Sequence, residues 1–120
     1  MASVMGPDFV GLQVRDLDAS RRFYTERLGF EIEPQSPPNA VVFRTEPIPF
    51  AVREPVVDLD AVDRLGWGVA LWIKCDGAQE LYDSLKAAGI QIAQEPFDGP
   101  FGCTFTFVDP DGYAITVHDG

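Results

Sequence analysis

The stretch FTFVDPDGYAITVHDG, Phe105–Gly120, decides the fold of this sequence. Two runs in which apolar residues alternate with other residues flank the segment DPDG. Pro110 and Asp111 suit the two central positions of a type I turn, and Gly112 suits the left-handed residue that follows such a turn. The pattern therefore predicts two antiparallel strands joined by a three-residue hairpin with a glycine bulge.

The predicted hairpin has two different faces, because side chains alternate across a strand. The turn places four apolar side chains on one face: Phe105, Phe107, Ile115 and Val117. The other face carries polar side chains, including the only histidine of the chain: Thr104, Thr106, Thr116 and His118. The first face should pack on other elements, and the second should hold a ligand or meet water.

The chain contains the same pattern twice. FVGLQVRD at Phe9–Asp16 matches GVALWIKC at Gly68–Cys75, and in both segments alternate residues are apolar, as in a half-buried strand. In this alignment Trp72 matches Gln13, and Val69, Leu71 and Ile73 are predicted to face the helices. Each segment precedes a helical pattern that a glycine ends, then a short strand and a hairpin. Candidate helix caps are Asp16 or Asp18 in the first half and Asp76 in the second.

These repeats predict one α+β domain, 1–120, built from two tandem βαβββ modules. The first module covers 8–54, the second covers 67–119, and 55–66 is the linker between them. Two segments rich in proline and glycine, at 36–39 and 96–102, are predicted to be irregular loops.

Composition narrows the classes of function. The 120 residues suit one domain, and the net charge of −10 argues against a nucleic-acid partner. The charge permits a cationic ligand and is equally consistent with a role in solubility. No apolar run could span a membrane, and the start lacks the features of a signal peptide, so a cytoplasmic location without membrane association is expected. Cys75 and Cys103 are expected to be free thiols.

The repeated module resembles the vicinal oxygen chelate superfamily. This superfamily includes glyoxalase I, extradiol dioxygenases, fosfomycin resistance enzymes and bleomycin resistance proteins. The resemblance extends over nearly the whole chain and rests on VRDLDASRRFYTERLGF at Val14–Phe30, GVALWIK at Gly68–Lys74 and FVDPDGYAITV at Phe107–Val117. It implies curved mixed sheets that enclose a cavity, with the two modules paired.

The resemblance also implies where a metal would bind. Enzymes of the superfamily hold a divalent cation with four side chains from the first and last strands of each module. The matching positions here are Phe9, Ala51, Gly68 and Thr116. None of them is the imidazole or carboxylate that such a cation needs, and a shift near Ala51 reaches only Arg53 or Glu54. No metal, cofactor or catalytic residue is therefore predicted.

The side chains predicted to point away from the core make a candidate site for a small molecule. Trp72 is assigned to the ligand, because Leu71 and Ile73 already supply the core side of its strand. For Phe9 the alternative is core packing, for Phe97 and Phe101 it is anchoring of a loop, and for His118 it is a strand end near solvent. The predicted ligand-binding residues are Phe9, Gln13, Arg53, Trp67, Trp72, Phe97, Phe101, Thr104, Thr106, Thr116 and His118.

Among the superfamily members, the chain is most similar to the bleomycin resistance branch, which lacks the metal ligands. The resemblance implies a homodimer that sequesters a bulky, partly aromatic antibiotic without modifying it. One alternative is a metal-dependent lyase, transferase or dioxygenase of the same fold. Another is a binding module that senses a metabolite, which the fold alone does not distinguish from the first.

Overall fold

The structure is a computed structural model that describes residues 2–120. The chain divides into two compact units, one ending at Leu59 and the other running from Asp60 to Gly120. Each unit contains a helical segment and one four-stranded mixed sheet, which confirms the predicted α+β class and the tandem modules. Within residues 2–120, no helix has the length and apolar character needed to cross a membrane.

In the first unit, the strand order is β1-β4-β3-β2, with β1 parallel to β4 and the other pairs antiparallel. The helix α1 continues as a π-helical segment, and a short 3-10 turn after the sheet spans the boundary between the two units. The elements are β1 (Val10–Gln13), α1 (Leu17–Arg22), the π-helical segment (Phe23–Arg27), β2 (Glu31–Ile32), β3 (Ala40–Arg44), β4 (Phe50–Arg53) and the 3-10 turn (Leu59–Ala61).

Local chemistry explains the helical segment of the first unit. Asp16 caps α1, as one of the two predicted candidates, because its Oδ1 accepts a hydrogen bond from the Ala19 N–H at 3.0 Å. Tyr24 of the π-helical segment is fully buried and packs its ring on Phe43 and Phe50, with ring centroids 5.8 and 5.1 Å away. The apolar sides of β3 and β4 thus bury themselves against the helix.

The second unit repeats this topology, with the strand order β5-β8-β7-β6 and β5 parallel to β8. Its single helix packs on β7, where the Tyr82 ring meets Phe105 at a centroid distance of 5.5 Å. The elements are β5 (Leu71–Lys74), α2 (Ala78–Ala87), β6 (Ile92–Gly99), β7 (Gly102–Val108) and β8 (Ala114–His118).

The hairpin at the end of the second unit has the predicted geometry. The Gly112 N–H donates to the Asp109 carbonyl at 3.0 Å, and the Asp109 N–H donates to the Tyr113 carbonyl at 2.9 Å. Gly112 has a φ of 100°, in the left-handed region that favours glycine. The register pairs Phe105 with Val117 and Phe107 with Ile115. The predicted apolar face is confirmed, because these four side chains are completely buried.

The prediction of an irregular loop at 96–102 is wrong. Strand β6 runs to Gly99, strand β7 begins at Gly102, and only Pro100 and Phe101 form the turn between them. The pairing of β6 with β7 shifts register between Gln94 and Phe97. This irregularity accommodates Pro96, which has no backbone N–H to donate. A residue in a bulge lies outside the regular hydrogen-bond ladder, so the missing N–H leaves no ladder bond unmade.

The predicted alignment of the two first strands is wrong by two residues. The Val14 N–H donates to the Arg53 carbonyl, and the Cys75 N–H donates to the His118 carbonyl, so Val14 corresponds to Cys75. Trp72 therefore corresponds to Gly11 and not to Gln13. Strand β5 starts late because a turn precedes it, closed by a hydrogen bond from the Val69 N–H to the Gly66 carbonyl.

Two side-chain predictions for this segment fail for the same reason. Gly68, assigned to the first strand of the second module, lies within the turn at a φ of 90°. Val69, expected to pack inward, has 78% of its surface exposed.

Asp76 does not cap α2. The helix begins after Gly77, which has no capping side chain of its own. Instead Oδ2 of Asp119 accepts from the Ala78 N–H at 3.2 Å, and Oδ1 accepts from the Cys103 N–H at 2.9 Å. One carboxylate beyond β8 thus joins the start of the helix to the start of β7.

Candidate functional site

The candidate site is the face of the second sheet that points away from α2, called the far face below. The strand register places its side chains in two rows across the four strands. The first row contains, from β5 to β6, Trp72, Thr116, Thr106 and Gln94. The second row contains, in the same order, Lys74, His118, Thr104 and Phe97.

Three rings meet at one edge of this face and form what we call the aromatic corner: Trp72, Phe101 and His118. The Trp72 ring centroid lies 5.7 Å from Phe101 and 5.8 Å from His118, and Phe101 lies 6.1 Å from His118. All three contacts are edge-to-face, the favourable geometry for rings with opposite charge at face and edge. Trp72 keeps 48% of its surface exposed and Phe101 keeps 55%, so the corner presents aromatic surface outside the core.

The imidazole of His118 is the polar group of the aromatic corner. Among residues 2–120, its Nδ1 atom is buried and has no hydrogen-bond partner. Buried polar atoms are nearly always paired in folded proteins, because an unmade hydrogen bond costs about 1–3 kcal/mol. The alternative interpretation, a strand-end histidine near solvent, does not describe this nitrogen, since it is enclosed within the structure.

Hydroxyl groups lie beside the aromatic corner in the first row. The Oγ1 atoms of Thr106 and Thr116 are 3.0 Å apart and hydrogen-bond each other across β7 and β8. Whichever hydroxyl accepts in this pair keeps its own hydrogen for a further acceptor. Thr104 is different, because it is buried and donates to the Gly102 carbonyl at 3.1 Å.

Two far-face residues were missed by the sequence interpretation: Lys74, which pairs with His118, and Gln94, which pairs with Thr106. Lys74 could have been found from the sequence, because it lies two residues after Trp72 on the same strand and must share its face. Gln94 could not, because the register shift at β6 leaves no trace in the alternation of its sequence.

Two other aromatic residues of the second unit lie apart from the corner. Phe97 belongs to β6, not to a loop as predicted, and its ring lies close to Gly99. Trp67 precedes β5 and is 76% exposed, with the Arg64 guanidinium carbon 4.8 Å from its ring centre. A groove of about 680 Å³ follows residues 62–67, so Trp67 belongs to that segment and not to the far face.

The remaining predicted ligand-binding residues belong to the first unit. Phe9 lies just before β1 and is 51% exposed, with its ring close to Gly11. The Gln13 side-chain oxygen accepts from the Val56 N–H at 2.8 Å, so this oxygen holds the chain that follows β4. Arg53 is exposed, and its Nε donates to the Glu54 carbonyl at 3.0 Å.

The residues at the metal positions of the superfamily do not fit a metal ion. The predicted positions are Phe9 just before β1, Ala51 in β4, Gly68 in the turn before β5 and Thr116 in β8. A phenyl ring, a methyl group and a hydrogen atom offer no donor to a divalent cation, and one threonine hydroxyl is too weak to hold it alone. Across residues 2–120, no three His, Cys, Asp or Glu side chains group as a metal site would require.

The two thiols are free, as predicted. Cys103 and His118 sit on opposite faces, because Thr104 is the residue paired with His118. Burial raises the pKa of the Cys75 thiol, and the nearby Asp119 carboxylate raises that pKa further. The thiol is therefore the dominant form at neutral pH, which does not suit a nucleophile.

Known structures share this architecture across their whole length. The crystal structure of UcmS2 is 25% identical, with a TM-score of 0.77, and the match covers 98% of this chain and 100% of that one. A glyoxalase-related enzyme from Fulvimarina pelagi is 23% identical, with a TM-score of 0.76 and coverage of 98% and 89%. Lactoylglutathione lyase from Agrobacterium tumefaciens is 21% identical, with a TM-score of 0.68 and coverage of 99% and 96%.

The latter two similarities establish the fold alone, and a search of curated proteins finds no match to the sequence. A family profile gives the stronger result, because it matches residues 6–117, nearly the whole chain. Together with the two sheets of parallel and antiparallel strands, this match shows that the chain belongs to the Glyoxalase/Bleomycin resistance protein/Dioxygenase superfamily.

Proposed function

We propose that this protein binds and sequesters a bulky, partly aromatic small molecule, an antibiotic, and does not modify it. The observation that carries the proposal is the aromatic corner, where Trp72 and Phe101 are each about half exposed next to a pair of threonine hydroxyls. Ligand sites combine apolar and aromatic side chains with a few polar groups, and the aromatic corner supplies both. The biological role would be drug resistance or self-protection of a producing organism.

Stacking and desolvation would supply the affinity. A ligand ring placed on Trp72 gains roughly 0.5–1.5 kcal/mol beyond the apolar area that it removes from water. The free hydrogen of the Thr106–Thr116 pair would bind a carbonyl or ether oxygen of the ligand. The net charge of −10 adds a general preference for a neutral or cationic molecule over an anionic one.

The absence of modification is part of the proposal. Its support is the donor chemistry at the positions that match the superfamily's metal ligands, because Phe9, Ala51, Gly68 and Thr116 include no imidazole or carboxylate. Recovery of the bound compound with unchanged mass and activity would agree with sequestration. The competing proposal of a metal-dependent enzyme requires about one tightly held Zn, Ni, Fe or Mn per chain in protein purified without an affinity tag.

Replacement of Trp72 by alanine tests the proposed site. Wild type and Trp72→Ala are screened by fluorescence against DNA-intercalating peptides, glycopeptides and polyketide antibiotics. We expect at least one compound to bind the wild type and to lose tenfold or more in affinity, about 1.4 kcal/mol, in the variant.

The matched control is Trp67→Ala, which removes the other tryptophan from a segment outside the far face and should retain affinity. A screen without any wild-type binder, or a binder equally tight in Trp72→Ala, would contradict the proposal.

We further propose that the protein is a cytoplasmic homodimer with no nucleic-acid or membrane partner. Exposed apolar side chains in the segment between the modules support a second copy as the partner. They are Val56, Val57 and Val62, which are 66%, 60% and 56% exposed. Apolar side chains exposed so close together in sequence suit a protein interface better than contact with water. Light scattering at micromolar concentration should give the mass of two chains, and the mass of one chain would refute the dimer.

A further inference from the structure

We propose that Phe101 is a movable cover over His118, and that the ligand ring displaces it and hydrogen-bonds the His118 Nδ1 atom. The proposal rests on the proposed function and deepens it, because it names the chemistry of the ligand group that enters the aromatic corner. That group is an aromatic ring with a hydroxyl or N–H attached, such as a phenol, and not a plain hydrocarbon ring.

The first step of the argument is the unpaired nitrogen. Among the described residues, His118 Nδ1 is buried without a hydrogen-bond partner, on the face that carries Trp72 and the threonine pair. Its burial comes with close packing of two rings, Trp72 at 5.8 Å and Phe101 at 6.1 Å between centroids. A ligand that supplies the missing partner removes the penalty of the unpaired atom, which a purely apolar ligand leaves in place.

The second step concerns which of the two rings moves. Trp72 lies within β5, and the register of that strand with β8 fixes its backbone. Phe101 occupies the two-residue turn between β6 and β7, and 55% of its surface is exposed. The Phe101 carbonyl accepts from the Gly120 N–H at 2.7 Å, which holds its backbone. Rotation of the Phe101 side chain is the motion that the proposal requires, and such rotation is fast for an exposed residue.

The third step defines the ligand group. A ring that replaces Phe101 meets the Trp72 ring at an edge, as Phe101 does at an interplanar angle of 75°. A neutral imidazole donates through one nitrogen and accepts through the other, so Nδ1 can pair with a hydroxyl in either tautomer. A phenolic hydroxyl serves both roles on a ring the size of phenylalanine's, which makes a phenol the ligand fragment that fits best.

The test compares phenol with toluene, which have the same ring and differ in a hydroxyl and a methyl group. Protein labelled with 15N and free of a histidine tag gives the imidazole signals of His118 alone, since the chain has a single histidine. We expect phenol to shift the His118 Nδ1 signal and the Trp72 indole signal, and to bind about fivefold more tightly than toluene, as one net hydrogen bond predicts. In His118→Phe the two affinities should become equal.

Two further variants test the cover. Phe101→Ala should shift the His118 Nδ1 signal of the ligand-free protein, because removal of the ring above it lets water pair with that nitrogen. Phe97→Ala, at a half-exposed phenylalanine within β6, should leave that signal unchanged.

The outcomes separate this inference from the proposed function. Equal binding of phenol and toluene by the wild type, or no shift of His118 or Trp72 by either, overturns the inference. It falls whether or not His118→Phe folds, because both measurements use the wild type. An antibiotic that binds through Trp72 would still uphold the proposed function in that case. If phenol binds more tightly than toluene but no antibiotic binds, the inference stands and the proposed function fails.

Discussion

The two sheets have the same strand order, but they differ in the side chains at matched positions. Gly11 pairs with Ala51 of the last strand in the first sheet, and Trp72 pairs with Thr116 of the last strand in the second. The whole row differs in the same way. In the first sheet it continues through Ala51 and Val42, and in the second through Thr116 and Thr106. A shared backbone thus carries a row of small apolar side chains in one unit and a row of an indole and hydroxyls in the other.

The helix-facing sides explain why the backbone can stay the same. Both are packed with fully or nearly fully buried side chains, such as Phe43 and Phe50 in the first unit and Phe107 and Ile115 in the second. Register is set where one face is buried, because a slip by one residue would turn the whole apolar set outward. The opposite face is not under this constraint, so its chemistry can differ between the units.

The largest effect should come from the helix-facing side. Phe107→Ala and Phe43→Ala each remove a completely buried ring and should lower the free energy of unfolding by about 3–5 kcal/mol. Trp72→Ala deletes a larger side chain from the other face, and we expect a loss of about 1 kcal/mol or less. Urea denaturation of the three variants measures the free energy of unfolding. A loss in Trp72→Ala as large as in Phe107→Ala would show that Trp72 is a core residue.

An intermediate effect should distinguish the two helix caps. Asp119→Ala removes an acceptor from both Ala78 and Cys103 and should cost about 2 kcal/mol, since hydrogen bonds to a charged group are strong. Asp16→Ala removes one local cap and should cost about 1 kcal/mol. Asp76→Ala is the control in the second unit, where an exposed carboxylate without a capping role should have little effect. A stronger effect at Asp76 than at Asp119 would contradict the assignment.

The smallest effect concerns the turn of the hairpin that ends the second unit. Gly112→Ala places a side chain at a φ of 100° and should lower the free energy of unfolding by about 1 kcal/mol. The shift of the urea denaturation midpoint measures this loss. Gly77→Ala is the matched control, because Gly77 is extended at a φ of −165° and a Cβ there would meet Glu80 no closer than 3.6 Å. Equal losses in the two variants would show that backbone conformation is not the cause.

The sequence was most informative where local chemistry acts alone. Turn residues around Gly112 and the alternation from Phe105 to Val117 predicted a hairpin that the structure reproduces residue by residue. The alignment of Phe9 with Gly68 failed, because alternation has a period of two and a shift of two residues preserves it. Only the pairing with β8 reveals that shift, and pairing depends on residues distant in sequence.

The candidate site shows the same division between local and distant information. Trp72 and the threonines were assigned to one face from alternation alone. The contact of Phe101 with His118 was not predictable, because it depends on β6 running on to a two-residue turn. The same holds for Gln13, whose polar side chain suggested a ligand contact and whose oxygen instead binds the backbone at Val56.

The position of the two caps has a consequence for the order in which the units fold. Asp16 is three residues from the N–H that it caps, so α1 has its cap as soon as its first turn forms. Asp119 is 41 residues from Ala78, so α2 gains its cap only after β8 has joined the sheet. Closing so long a loop costs entropy before the contact repays it. During synthesis the first unit can therefore complete its helix early, whereas α2 remains without its cap until nearly all of the second unit has left the ribosome.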